Sequence, residues 1–93
     1  MTNKTQVKVV ISGKVQGVFY RAHTQNTADR LGIKGYVKNL ANGSVEAVFE
    51  GDQPAIDQMI NWCNKGPEMS RVENVQTQEI KPLTNFKIFE IRY

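Results

Sequence analysis

A tight turn at Asn42-Gly43 is the feature that most restricts the fold of this chain. Asn-Gly between two apolar stretches is the strongest short signal for a β-hairpin, because both residues tolerate positive φ. Residues 34–40 and 44–50 flank the turn, and every second residue from 45 to 49 is apolar, as in a strand with one buried face. Two adjacent antiparallel strands are therefore predicted in the middle of the chain.

A helix is predicted on each side of this hairpin. The first covers residues 22–31, where few helix breakers occur, and Gly32 ends it. The second opens after residues 51–52, carries Pro54 in its first turn and ends at the Gly-Pro pair of residues 66–67. Apolar residues at helical spacing predict a buried stripe on the second helix, which comprises Ile56, Met59, Ile60 and Cys63.

Extended segments at both ends of the chain complete the pattern. Alternating β-branched residues in 7–11 predict a strand that ends at Gly13, and residues 71–80 and 86–91 are typical of extended chain split by Pro82. The order β-α-β-β-α-β with a short extra strand predicts an α+β, ferredoxin-like sandwich, with two helices on one face of a mostly antiparallel sheet of four to five strands. Right-handed crossovers place the third strand between the first and the second.

Length and composition limit what this fold can carry. The 93 residues allow a single domain over residues 1–93, with one small core and a site at its surface. The single cysteine, Cys63, excludes an internal disulfide and a multi-cysteine metal site, and the single histidine, His23, argues against the common zinc sites. Without a signal peptide or an apolar run near the ~18 residues of a membrane helix, we expect a cytoplasmic monomer with no membrane partner.

The charge balance favours a small anionic ligand. The chain carries 12 basic and 9 acidic residues, a formal net charge of +3. Basic and acidic residues interleave without a basic block, so the charge pattern does not indicate a nucleic-acid partner.

The segment between the first strand and the first helix holds the candidate binding residues. Residues 13–21, GKVQGVFYR, join the end of a strand to a helix N-terminus, where unpaired N–H groups and the helix dipole attract anions. Gly17 allows a tight turn, and Arg21 adds a planar fork of donors suited to phosphate oxygens. A cation at this end of a helix has the wrong sign for the dipole, and a bound anion resolves that conflict. The alternative is an ordinary connecting loop with a solvated arginine.

Asn39 is the second unusual residue. Asparagine is disfavoured inside strands, yet Asn39 falls on the strand before the hairpin turn. Its amide offers an acceptor and two donors, which suits holding a water molecule. The alternative is an asparagine that caps the hairpin.

These residues lie within two motifs that resemble the signatures of the acylphosphatase family. Residues 11–21, ISGKVQGVFYR, resemble the first signature, and residues 35–39, GYVKN, resemble the beginning of the second. The second signature continues with Gly43, Val45 and Gly51. Both match in order and spacing without gaps, and the closing residues 89–93, FEIRY, are similar to the family's C-terminal strand.

The resemblance implies an enzyme that hydrolyses the carboxyl–phosphate bond of acyl phosphates. Water attacks phosphorus without a metal or cofactor, and the products are a carboxylate and inorganic phosphate. We expect inorganic phosphate to inhibit the enzyme as well. Arg21 is then the phosphate-binding arginine, and Asn39 orients the attacking water. Backbone amides complete the phosphate cradle at Gln16, Gly17, Val18, Phe19, Tyr20 and Arg21.

A non-catalytic ferredoxin-like module that binds RNA or a small anionic effector is the alternative function. RNA-binding modules of this topology place aromatic side chains on their central strands. The candidate central strand carries Glu46 and Glu50, where stacking and phosphate contacts are needed, which counts against RNA. An effector domain that does no chemistry does not require Arg21 and Asn39 together.

Overall fold

Five strands and two helices form the described part of the chain, residues 3–93 of the computed structural model. In chain order they are β1 (Lys4–Lys14), α1 (Tyr20–Leu31), β2 (Lys34–Asn39), β3 (Val45–Asp52), α2 (Gln53–Lys65), β4 (Arg71–Glu79) and β5 (Phe89–Arg92). The sheet has the order β4-β1-β3-β2-β5, and only the β2–β5 pair is parallel. The ferredoxin-like arrangement is confirmed, with β3 between β1 and β2 as the crossover rule predicts.

The strand directions determine where a site can form. Because β1 and β2 both pair antiparallel with β3, they run in the same direction, and β5 runs parallel to β2. The carboxyl ends of β1, β2 and β5 therefore meet at one edge of the sheet. The loop into α1 and the hairpin after β2 both start from this edge.

The core lies between the sheet and the two helices. Helix α1 packs on β2 and β5, and α2 packs on β1, β3 and β4. The predicted stripe of α2 is confirmed, because Ile56, Met59 and Cys63 are fully buried and Ile60 packs beside them. Neither helix in residues 3–93 combines the length and the apolar character needed to cross a membrane.

Two predicted boundaries near the site, the end of β1 and the start of α1, are wrong. Strand β1 does not end at Gly13 but continues to Lys14 through a bulge between Ser12 and Gly13. Gly13 has a φ of 124°, and a Cβ there would collide with the carbonyl oxygen of Arg71 in β4, so only glycine allows this close approach. Helix α1 begins at Tyr20 rather than at residue 22, which places Arg21 inside its first turn.

Strands β2 and β5 are also shorter than predicted. Strand β2 stops at Asn39, so the side chain that we expect to hold water is the last of its strand. The extended segment 86–91 is a shorter strand, because residues 84–86 donate their backbone N–H groups to the buried carboxylate of Glu50 instead of to a neighbouring strand. Strand β5 consequently begins only at Phe89.

Candidate active site

A cavity of about 310 Å³ lies at the edge where β1, β2 and β5 end. Its lining comes from the β1–α1 loop, the start of α1 and the ends of β2 and β5: Val15, Gln16, Gly17, Phe19, Tyr20, Arg21, Ala22, Asn39, Ile91 and Tyr93. A volume of this size is at the small end of the ~300–1,000 Å³ range of ligand pockets. The cavity brings together the two candidate side chains, Arg21 and Asn39, which are distant in the sequence.

One predicted site residue lies apart from this lining. Val18 does not line the cavity, because its side chain is buried in the hydrophobic core. Its backbone nevertheless belongs to the loop between Gly17 and Phe19, both of which do line it. His23 is exposed and lies outside the lining.

The β1–α1 loop has an unusual backbone. Gly17 and Phe19 both have positive φ, 76° and 61° respectively. Left-handed residues alternating with other conformations turn successive N–H groups toward a common point, which is the geometry of an anion-binding nest. A Cβ at residue 17 would meet no neighbour within 4 Å, so the dihedral angle and not lack of space favours glycine there.

The N-terminus of α1 is left without its own cap. The first backbone hydrogen bond of the helix joins the N–H of His23 to the carbonyl oxygen of Phe19, at 3.1 Å. The N–H groups of Tyr20, Arg21 and Ala22 precede this bond, and the capping position Phe19 supplies no side-chain acceptor. With no acidic residue in its first turn, this helix end favours an anion at the cavity.

Tyr20 anchors this helix end to the core. Its hydroxyl donates to the carbonyl oxygen of Cys63 at 2.9 Å, and its ring centroid lies 5.4 Å from that of Trp62 on α2. Burial raises the pKa of Tyr20 far above its ordinary value, and the neighbouring Cys63 raises it further, so the phenol stays protonated. The first turn of α1, and Arg21 with it, is therefore held in a fixed position.

Cys63 is a packing residue in this arrangement. It is fully buried on the stripe of α2, and burial raises the pKa of its thiol to about 12, although the nearby Tyr20 hydroxyl opposes that shift. A protonated and inaccessible thiol is a poor nucleophile.

Arg21 lines the cavity with its guanidinium beside Tyr93. Its guanidinium carbon lies 4.8 Å from the centroid of the Tyr93 ring, and Nη1 donates a long hydrogen bond of 3.5 Å to the carbonyl oxygen of Arg92. None of the ion pairs formed within residues 3–93 includes Arg21. A guanidinium with five N–H donors and this single weak bond can still bind an anion through two parallel bonds.

Asn39 is exposed at the end of β2 and lines the same cavity. The alternative role considered for it, capping the hairpin turn, is performed by another residue. The Oδ1 atom of Asn42 accepts the N–H of Ser44 at 3.0 Å, which closes the turn. The turn is therefore closed by Asn42, and Asn39 lines the cavity together with the loop residues.

Sequence reasoning missed two contributions to this site. Ile91 and Tyr93 line the cavity because β5 pairs in parallel with β2, which brings its end beside Asn39. The side chain of Gln16 connects the loop to the hairpin: Nε2 donates to the carbonyl oxygens of Leu40 and Ser44, both at 2.8 Å. The closing motif at residues 89–93 was the available signal for β5, and the sequence carries no comparable signal for the bonds of Gln16.

The described residues that line the cavity include no His, Cys, Asp or Glu side chain. Within residues 3–93, no three His, Cys, Asp or Glu side chains are grouped so that they could hold a metal ion. Arg21 is the charged side chain among the residues that line the cavity.

Comparisons with known proteins identify the family to which this chain is similar. The family model described as Acylphosphatase matches residues 7–91. An acylphosphatase of Rubrobacter xylanophilus is 47% identical over 87 residues, which cover 94% of this chain and 79% of that protein.

Solved structures extend the similarity to three dimensions. An acylphosphatase from Coxiella burnetii superposes with a TM-score of 0.92 at 39% identity, and the match covers 97% of this chain and 94% of that one. The acylphosphatase from Bacillus subtilis has a TM-score of 0.93 at 31% identity, with 96% and 99% covered.

The chain therefore belongs to the acylphosphatase family and is a hydrolase of that family, as its two motifs predict. The match gives no support to the alternative of a non-catalytic binding module.

Proposed function

We propose that this enzyme hydrolyses acyl phosphates by direct attack of water at phosphorus, with Arg21 and the β1–α1 loop binding the phosphoryl group and Asn39 holding the water. The observation that carries this proposal is that Arg21, Asn39 and the loop residues line one cavity. The whole chain acts as one acylphosphatase-like domain, and we expect a cytoplasmic monomer without a membrane or nucleic-acid partner.

Binding of the phosphoryl group uses charge and fixed dipoles. The N–H groups at the start of α1 and the left-handed backbone at Gly17 and Phe19 support this role, and we expect them to donate to the equatorial oxygens of phosphate. Arg21 adds a bidentate contact, and Tyr20 keeps the helix end in place. Because phosphoryl transfer spreads negative charge over these oxygens, the same donors stabilise the transition state.

The attacking water belongs on the Asn39 side of the cavity. The Asn39 carbonyl can accept a hydrogen bond from the water, and the amide N–H groups can direct its lone pair toward phosphorus. The oxygen of the water forms a bond to phosphorus while the bond from phosphorus to the acyl oxygen breaks. Holding the two reactants in line converts an encounter in solution into a reaction within one complex.

The leaving group explains why so few residues suffice. The expelled carboxylate is a weak base, with a conjugate-acid pKa near 4, so its departure requires neither a general acid nor a metal ion. The water loses one proton, and an oxygen of the substrate's phosphoryl group accepts it. The products are a carboxylate and dihydrogen phosphate, so atoms and charge balance.

Hydrolysis of acetyl phosphate in the presence of a chelator is the test of this proposal. We expect turnover to be unchanged by EDTA, not stimulated by magnesium, and inhibited competitively by inorganic phosphate, which occupies the same cradle. Activity that is lost with the chelator and restored by one metal would overturn the metal-free route. Noncompetitive inhibition by phosphate would show that the cavity is not the phosphate site.

A further inference from the structure

The two parts of the proposed site come from different segments and need a fixed distance between them. The phosphate cradle is on the β1–α1 loop, whereas Asn39 is on β2 at the start of the hairpin. A water held by one segment attacks phosphorus held by the other, so a displacement of about 1 Å between them can cost on the order of 100-fold in rate.

The side chain of Gln16 spans these two segments. Its Nε2 atom has two N–H donors, and both find backbone carbonyl oxygens of the hairpin, on Leu40 and Ser44, at 2.8 Å. Leu40 directly follows Asn39 in the chain. One amide on the phosphate loop is therefore attached next to the water-holding residue by two short bonds.

The hairpin does not need Gln16 to close. The N–H of Leu40 donates to the carbonyl oxygen of Ser44 at 2.8 Å, the N–H of Gly43 donates to Leu40 at 3.2 Å, and Asn42 closes the turn. The bonds from Gln16 are additional to these, and what they fix is the position of the hairpin relative to the loop.

We infer that Gln16 is a positioning residue whose side-chain amide sets the distance between bound phosphate and the water held by Asn39. This inference rests on the proposed function and adds to it a residue that acts through Asn39. It assigns the Gln16 side chain a role distinct from that of its backbone N–H in the cradle.

Kinetics of Gln16→Met test the inference. Methionine has nearly the same length without donors, and the backbone N–H of residue 16 is retained. We expect kcat to fall by about 10- to 100-fold, while the Ki of inorganic phosphate stays near the wild-type value, because Arg21 and the loop amides still bind phosphate. Gln25→Ala is the matched control, since Gln25 also donates to a backbone carbonyl of another element, Phe89 at 3.3 Å, but does not line the cavity.

The double variant of Gln16→Met and Asn39→Ala distinguishes a Gln16 that acts through Asn39 from a Gln16 that only stabilises the structure around the cavity. If Gln16 acts through Asn39, the double variant has the kcat of Asn39→Ala alone. If the kcat loss of the double variant instead equals the product of the two single losses, the inference is overturned and the proposed function is left intact. An Asn39→Ala variant with wild-type kcat would overturn both.

Thermal midpoints accompany each assay. If Gln16→Met lowers the midpoint more than Gln25→Ala does, Gln16→Asn replaces it, because asparagine keeps a polar amide but is too short to reach both carbonyls. A Gln16→Asn variant with wild-type kcat, or with kcat and phosphate binding lost together, would overturn the inference.

Discussion

Two junctions lead from a strand into a helix, β1 to α1 and β3 to α2, and they occupy equivalent places in the two halves of the fold. They differ in the residues and backbone conformation at the start of the helix. Helix α2 follows β3 directly, and its capping residue is Asp52, in ordinary extended conformation. Its first N–H, on Gln53, donates to the carbonyl oxygen of Asn3 at 2.9 Å, and its second position is Pro54, which has no N–H.

Helix α1 is the opposite in each respect. A loop separates it from β1, its capping residue Phe19 is left-handed, its first positions all carry N–H groups, and its first turn holds a cation. An acidic residue stabilises the positive end of a helix, and a basic residue destabilises it. The difference teaches that the two helix ends have different chemistry: the start of α2 has an acidic capping residue and a proline, whereas the start of α1 has N–H groups and a cation, which we expect an anionic ligand to complete.

Replacing Arg21 with glutamine should produce the largest effect, because it removes the charge from the incomplete helix end. A lost electrostatic donor in a preorganised site costs about 10²–10³ in kcat, and Arg21 supplies charge as well as donors, so we expect a loss at or beyond the upper end. The phosphate Ki should rise as well, because the proposed mechanism has Arg21 in contact with phosphate before and during the reaction. Steady-state kinetics and a thermal midpoint near wild type check this. Unchanged phosphate inhibition would contradict the role of Arg21.

Asn39→Ala should lower kcat by about 10²–10³ and leave the phosphate Ki near the wild-type value. Asn39 lines the cavity from the end of β2 and not from the helix end, so we expect it to contribute to the attack rather than to anion binding. The control is Asn42→Ala, which removes the turn hydrogen bond to Ser44 but no cavity residue. An equal loss of kcat in Asn42→Ala would indicate that the hairpin's stability, and not the Asn39 amide, limits turnover.

Phe19→Gly should raise the free energy of unfolding by about 0.5–1 kcal/mol. A left-handed conformation costs a non-glycine residue roughly 1–2 kcal/mol, and the greater freedom of glycine in the unfolded chain offsets part of that gain. The Phe19 side chain is 79% exposed, so little packing is lost. Denaturant unfolding measures the change, and a decrease in stability would mean that the aromatic ring makes contacts worth more than the backbone strain.

The smallest effect is expected at the other junction. Asp52→Asn keeps a good capping residue but removes the negative charge from the start of α2, which should cost roughly 0.3–1 kcal/mol of stability. Because Asp52 pairs with Lys4, at the opposite edge of the sheet from the cavity, kcat and the phosphate Ki should not change. Altered kinetics in this variant would contradict the division of roles between the two helix ends.

Local patterns in the sequence were enough to predict most of the fold. Asn42-Gly43 predicted the hairpin because its turn requires residues that tolerate positive φ, and the spacing of Ile56, Met59 and Cys63 predicted the buried face of α2 because helical period and burial are both local properties. The handedness of crossovers then placed β3 in the centre of the sheet.

Features that depend on partners distant in the sequence could not be predicted. The continuation of β1 past Gly13 requires β4 alongside it, and the parallel pairing of β5 with β2 places Tyr93 at the cavity. The hydrogen bonds of Gln16 to the hairpin are likewise visible only in three dimensions. Arg21 and Asn39 were singled out as residues that conflict with their local structure, which is where functional residues are expected.

Titration of isotope-labelled protein with inorganic phosphate, followed by the amide signals in NMR spectra with EDTA present, tests the central claim most directly. The account predicts saturable shifts at the N–H groups from Gln16 to Ala22, at the start of α1, and none at Gln53, Ala55 or Ile56, at the start of α2. Shifts at α2, or no saturable shift at α1, would contradict the claim that the incomplete helix end is the phosphate site.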